Sequence, residues 1–280
     1  MTEIINLDSS IITALATGLL VVVGIAQVAI LIGQKKQTRL ELASEYRRRW
    51  FKSKEHLGKI VFIGREPEEY YQVVEKEKIF KLKELVDNSI LSSPTVWAKD
   101  STQNISGILS EVCLRILQGQ LKVSDAYPIF GIELLRHSRP LRKLLDTEFV
   151  DPLFFKPEFE KHWSIRREIQ DWFIYHDGIR RRCLILIDLL WAEAVRLEDL
   201  PPSDIFSAAE AKNKKGVVNR KRIIKETRRL NGFSGILLSW QLSYFLRHSE
   251  YKSFYNRVGI KKKRLDKLQS DWNKRILRGT

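Results

Sequence analysis

Cysteine, proline and glycine are all scarce in this chain, and each scarcity excludes a class of architecture. Its 280 residues contain only two cysteines, Cys113 and Cys183, each inside an apolar stretch (Glu-Val-Cys-Leu and Arg-Cys-Leu-Ile). Such cysteines read as buried thiols in a reducing compartment and not as a disulfide framework. Two are also too few for a cysteine-rich zinc site. With 14 Gly and 8 Pro, and only short β-branched runs outside the N-terminal region, a turn-rich β-fold is disfavoured. The expected fold class is all-α, an N-terminal transmembrane helix followed by a multi-helix cytoplasmic domain.

Chemical motifs are lacking as well. The sequence has no GxxxxGK[ST] phosphate loop, no GxGxxG, no HExxH and no GxSxG. The five histidines (His56, His137, His162, His176, His248) are dispersed. No two lie three or four residues apart, so no single helix presents a metal pair. No cofactor and no metal are expected, and no residue constellation marks an enzyme.

What is present is apolar mass and positive charge. Hydrophobic residues make up 44% and aromatics 10%, enough for a core and too much for general disorder. Lys and Arg number 49 against 34 Asp and Glu, a net charge of +15. A surplus of that size implies a polyanionic neighbour, either the anionic inner leaflet of a membrane or nucleic acid.

From Ile11 to Ile32 there is no charged residue. As a helix this run spans about 33 Å, against about 30 Å for a bilayer's hydrocarbon core. Thirteen of its residues are Ile, Leu or Val, which together favour insertion by about 5 kcal/mol. The run is too long for the h-region of a signal peptide and lacks a basic n-region, so the expected role is a retained anchor. Glu3 and Asp8 precede it, while Lys35, Lys36, Arg39, Arg47, Arg48 and Arg49 follow. The positive side stays in the cytoplasm, which puts the N-terminus outside the inner membrane and the domain inside. Ala14 with Gly18, and Ala29 with Gly33, form small-xxx-small pairs suited to close helix contact. Gln27 is expected to hydrogen-bond across such a contact, making a homo-oligomer.

These features divide the chain into a short external leader (1–10), a transmembrane helix (11–33), a helical cytoplasmic domain (34–200) and a basic helical C-terminal region (201–280). The anchor helix is expected to continue to about His56, with Leu40, Ala43, Tyr46 and Trp50 at helical spacing. Further helices are expected from Pro67 to Asp87, Thr102 to Leu117 and Glu158 to Tyr175. Ser124, Ser138 and Asp177 read as N-caps, the last opening a core helix from Ile179 to Leu197. A loop is expected at Asp151–Pro157. Gly232 to Leu246 reads as a second core helix, and Tyr70, Tyr71, Trp163, Trp172, Trp191 and Trp240 read as core aromatics.

Pro201-Pro202 and the run after it read as a linker. Basic residues then cluster twice. The first cluster runs from Lys212 to Arg229 and includes Lys214, Lys215, Arg220, Lys221 and Arg222. The second includes Lys261, Lys262, Lys263 and Arg264, on a helix whose Leu265, Leu268, Trp272 and Ile276 form an apolar stripe. Both, with Lys35, Lys36 and Trp272, are candidate contacts to anionic lipid or another polyanion.

Two resemblances follow. Arg49 and His56 are separated by six residues, a spacing similar to the Arg-x4-6-His pattern of the HEPN ribonucleases, although Trp50 stands where that pattern usually carries a polar residue. The segment Gln-Lys-Lys-Gln-Thr-Arg-Leu-Glu-Leu-Ala-Ser-Glu-Tyr-Arg-Arg-Arg-Trp-Phe after the anchor resembles a broad set of bacterial single-pass membrane proteins. In them a helix of similar character follows an N-terminal anchor. The layout is also similar to membrane effectors of prokaryotic antiviral systems. That resemblance implies topology and a helical domain. The expected function is a membrane-anchored interaction or effector protein, of an antiviral or toxin-like system, that meets a cytoplasmic protein partner. A membrane-tethered HEPN-like ribonuclease and a membrane-tethered nucleic-acid-binding protein stay open beside it.

Overall fold

The uncharged run and the aromatic helix after it form one continuous element, α1 (Ser9–Lys52), 44 residues long and about 66 Å from end to end. The protein is seen here in a computed structural model that describes residues 9–65, 76–91, 95–146, 157–198, 200–247 and 262–278. Among the described residues every regular element is helical. After α1 come α2 (Lys54–Gly64), α3 (Lys76–Asp87), α4 (Val96–Leu117), α5 (Val123–Arg136) and α6 (Ser138–Leu145). Then follow α7 (Glu160–Tyr175), α8 (Asp177–Leu197), α9 (Pro202–Asn231), α10 (Gly235–Arg247) and α11 (Lys262–Arg278).

The helix leaving the anchor stops at Lys52, four residues before the expected His56. Ser53 ends it. Its Oγ donates to the Arg49 carbonyl at 2.9 Å, and its N–H is shared between the Arg49 and Trp50 carbonyls. That back-bonding and the shared N–H interrupt the regular ladder at one residue, and α2 continues along α4 in the same sense as α1.

The centre of the domain is α8. Residues Cys183 to Leu190 are buried on every side of the helix, as expected of an all-round apolar helix enclosed by others. It packs against α4, α5 and α9. Asp188 sits in that run at 2% exposure. The Arg142 guanidinium donates to one of its oxygens and Asn219 Nδ2 to the other at 3.1 Å. A buried carboxylate is tolerated when paired and hydrogen-bonded in this way.

Several expectations need correction. Neither serine caps a helix. Ser124 lies inside α5, whose first free N–H, on Lys122, is taken by the Asp125 carboxylate. Ser138 is the first residue of α6 and donates to the Leu135 carbonyl instead. Asp177 is the first residue of α8, and its carboxylate binds arginines rather than backbone. No linker follows Pro201-Pro202: the second proline opens α9, 30 residues long, in the first turn where a missing N–H costs nothing. Helix α4 starts six residues before Thr102. The helix ending at Asp87 is described from Lys76, so Tyr70 and Tyr71 lie outside the described residues, as does most of the loop at 151–157.

The run from Gly232 to Leu246 begins as a 3-10 turn, and then α10 folds back on α9. A side chain at Gly235 would sit 2.7 Å from the Thr227 carbonyl oxygen, so only glycine permits so close a turn. One face of α10 is buried through Ser239, Leu242, Ser243 and Leu246. The other is not: Trp240, expected in the core, is 70% exposed. Trp172 and Trp191 pack against the core while partly buried, and Trp163 lies under the Arg166 guanidinium.

Candidate membrane interface

Helix α1 has two unlike halves. Through Ile32 the described apolar side chains, from Leu15 onward, are exposed, and none of that stretch is buried in the protein. It is the one helix among the described residues that is long and apolar enough to cross a membrane. Beyond Thr38 the same helix docks. Leu42 and Ala43 pack against the core, and Tyr46 and Trp50 are fully inside it, with Trp50 edge-on to Phe130 at 4.9 Å.

The docked half fixes which end of the domain is nearest the anchor. Going away from the anchor, α1 and α2 meet α4 in reverse order. Tyr46 meets Arg115 (3.5 Å), Arg49 meets Glu111 (2.6 Å), Ser53 meets Asn104 (2.8 Å) and His56 meets Ser101 (3.1 Å). Helix α5 runs in the same sense as α1: Arg39 pairs with Asp125 (3.4 Å), Trp50 with Phe130, and Lys54 with Glu133 (3.0 Å). The turn joining α4 to α5, Gln118–Lys122, is therefore level with the start of the docked half. Ten residues separate Ile32 from Leu42, about 15 Å of helix.

The sequence-predicted residues distribute as follows. Lys35 and Lys36 are exposed where the uncharged stretch ends. Ala14, Gly18, Ala29 and Gly33 are exposed on α1, and neither glycine has any atom within contact distance of a notional side chain. At about 100° per residue these four share one face. Gln27 falls about 170° from its centre on the same count, so it cannot bridge a two-helix contact made through the small residues.

On α9 the inner face is Asn219, Ile223, Glu226 and Thr227, all buried. The opposite side presents Lys221, Lys225, Arg228 and Arg229, all exposed. Arg222 is turned away from that stripe and held by Asp177 (3.0 Å) and Glu226 (2.7 Å). Burial alone would raise the Asp177 carboxyl, but Arg180, Arg181 and Arg222 around it outweigh that and hold it below the usual range. Arg220 is half-buried, while the side chains of Lys212, Lys214 and Lys215 lie outside the described residues.

The terminal helix α11 places Lys263 and Arg264 outward. Its apolar stripe faces the protein: Leu268 is buried and Trp272 packs partly buried against the core. Trp272, expected as a lipid contact, thus has part of its apolar surface committed to the core. Lys261, and the side chains of Lys262, Leu265 and Ile276, lie outside the described residues.

Arg49 and His56 are not brought together. Their partners on α4, Glu111 and Ser101, are ten residues apart, about 15 Å along the helix. His176 Nδ1 lies 2.8 Å from the Trp172 carbonyl, with its ring stacked on Trp172, and makes no pair with Asp177. Among the described residues no group of three or more His, Cys, Asp or Glu is placed to hold a metal. Compared with known proteins, the chain matches no family model, and no curated protein or solved structure resembles it.

Sequence reasoning missed the outer face of α10. Between Arg229 and Arg247 seventeen successive residues carry no charge, a signal taken for a core helix. The fold leaves half of that helix outside.

Proposed function

We propose that the chain is a single-pass protein of the cytoplasmic membrane, with its N-terminus outside. Its helical domain would act on the inner side as an interaction or effector module. The observation carrying this reading is the continuity of α1: the segment suited to a bilayer and the segment built into the domain core are one unbroken helix. A shift, rotation or pairing of the anchor is then passed to Tyr46 and Trp50 without an intervening hinge. Such a coupling suits a protein whose domain responds to events in the membrane, including the effector of an antiviral or toxin-like system. The run of Lys35, Lys36, Arg47 and Arg48 against a leader without Lys or Arg supports the orientation.

Self-association through the small-residue face fits the geometry of α1. That face lies roughly 70° around the helix from the docked residues. A second copy can approach it with the domain to one side.

Paired C-terminal reporter fusions, one active only in the cytoplasm and one only outside it, test the topology. Activity of the cytoplasmic reporter alone is expected, and activity of the external one alone would overturn the reading. Nucleic acid is the second reading, favoured by the exposed stripe Lys221, Lys225, Arg228 and Arg229. Tight RNA or DNA binding by the purified protein, with no preference for anionic over neutral vesicles, would promote it.

A further inference from the structure

The outer face of α10, exposed among the described residues, is apolar, aromatic and contiguous. Phe233, in the turn before the helix, is 94% exposed, Trp240 70% and Leu237 65%, with Ile236 and Tyr244 beside them. Ile236, Leu237, Trp240 and Tyr244 fall within an arc of about 100°, and the Trp240 and Tyr244 rings lie 6.4 Å apart. A soluble surface rarely presents such a cluster unless something covers it.

Its position in the fold identifies the cover. Asn231 Nδ2 donates to the Leu117 carbonyl at 2.8 Å. Gly119, held at φ +72°, has its open side against Leu238, whose Cδ2 a side chain there would approach to 3.1 Å. Both contacts are made with the end of α4 and the turn before α5. That is the end of the domain level with Arg39 and Leu42, where α1 arrives from the anchor. The turn from α9 into α10 thus stands at the membrane-side end of the domain. About 15 Å of helix separates that level from Ile32. Headgroups fill about 5–8 Å of it, and a tilt of about 20°, common for single helices, lowers one flank further.

Charge agrees with position. The exposed guanidinium groups of Arg228 and Arg229 stand immediately before Phe233, at the end of the basic stripe on α9. Arginine beside Trp, Tyr and Phe is the composition of a surface whose aromatic rings sit among acyl chains and headgroups while cations hold the phosphates. A second copy of the chain would have to bring an acidic surface to Arg228 and Arg229. The net charge of +15 makes that partner the poorer match.

We infer that the outer face of α10, with Arg228 and Arg229, is a second membrane attachment, an in-plane helix face that docks on the anionic lipid surface beside the anchor. The inference rests on α1 crossing the bilayer. It holds the domain against the membrane by two points, so its orientation to the bilayer is fixed and does not pivot about α1.

The test uses the full-length protein reconstituted into vesicles of phosphatidylcholine and phosphatidylglycerol. Cys113 and Cys183 are buried, with the Cys183 thiol pushed up to about 12 by burial, so neither competes for a thiol-directed label. An environment-sensitive fluorophore is attached to Phe233→Cys and, in a second variant, to Trp240→Cys. Phe80→Cys, 70% exposed on α3, the helix leading to Ser89 beside Trp97 at the start of α4, is the aqueous control, and Gly24→Cys in the anchor is the lipid control. We expect the labels at 233 and 240 to shift to the blue and lose most of their emission when brominated lipids are included. The label at 80 should be unaffected, and Arg228→Glu with Arg229→Glu should weaken the quenching. Quenching at 24 with none at 233 or 240 would overturn the inference and leave the anchor standing. Quenching at none of these positions would overturn the anchor reading itself, and the inference with it. Protection of 233 and 240 from aqueous iodide without quenching by brominated lipid would assign the face to a protein partner, against the inference.

Discussion

The two halves of α1 share one backbone and one helical ladder, yet their side chains suit different solvents. In the first half, the described Leu, Ile and Val side chains are exposed around the whole helix and none is buried in the protein. In the second, one side docks and the other does not: Leu42, Ala43, Tyr46 and Trp50 pack against the core, while Arg47, Arg48 and Lys52 face out together with Leu40 and Phe51. The first pattern is stable only where every direction is apolar. The second is stable at the edge of a protein core in water. The boundary between them lies at Lys35 and Lys36, where the uncharged stretch ends. The second half also sets which ends of α4 and α5 lie nearest the uncharged stretch.

If the halves are as different as their surroundings imply, substitutions in each should fail in different assays. The largest effect is expected for Trp50→Ala. It removes a fully buried indole that packs on Phe130 and should destabilise the domain by about 3–5 kcal/mol. Denaturant unfolding in detergent measures this, while the membrane-bound fraction should not change.

Val22→Arg should do the reverse. An arginine at the middle of the apolar half costs about 3 kcal/mol on an insertion scale, a large share of what favours the span. Loss of resistance to alkaline extraction, with the unfolding midpoint of the domain kept, is the expected pair of results. Unfolding of the domain by Val22→Arg, or loss of insertion by Trp50→Ala, would break the division.

A smaller effect separates the domain from the anchor by pH. Burial, aided by the Arg65 charge, holds His137 below its ordinary value of 6.5. The folded state therefore takes up this proton less readily than the unfolded state. The stability it contributes is complete above 6.5 and is lost as pH falls through and below that value. Denaturant midpoints well above and well below 6.5 should show this loss in the native protein and less of it in His137→Gln. Insertion of the anchor should not follow that titration.

The smallest effect is expected for Arg49→Ala. Its pair with Glu111 is short, but both side chains are more than 40% exposed. Such a pair contributes about 0–1 kcal/mol. Stability and any cellular phenotype should survive the change. Loss of RNA cleavage in Arg49→Ala and His56→Ala alike, with folding intact, would instead join two residues that this fold holds apart.

Much of the fold was legible because its signals are local. The uncharged run to Ile32, the helical spacing of Ala43, Tyr46 and Trp50 and the apolar centre of α8 each follow from side chains a few residues apart, whereas Leu40, expected on the same face, is 56% exposed and Leu42 docks in its place. Ser138 and Asp177 were misread because a cap and a long-range partner use the same residue types: Ser138 Oγ accepts from Trp191 Nε1 at 3.1 Å, and Asp177 holds Arg222. Arg222 shows this from the other side: in sequence it belongs to a basic run, in the fold to Asp177 and Glu226.

The sequence by itself determined the all-helical class, the single segment able to cross a membrane and the excess of positive charge. All three depend on composition and on periodicity along the chain. Only the tertiary structure decided that Pro202 opens a helix, that Trp272 packs inward and that Trp240 stays outside. An amphipathic or wholly apolar helix specifies that it needs apolar contact. Which of its faces receives protein, and which is left for another medium, depends on neighbours distant in sequence. For α10 the inner face is taken by α9, and the turn between them is held by Leu117 and Gly119, more than a hundred residues earlier in the chain.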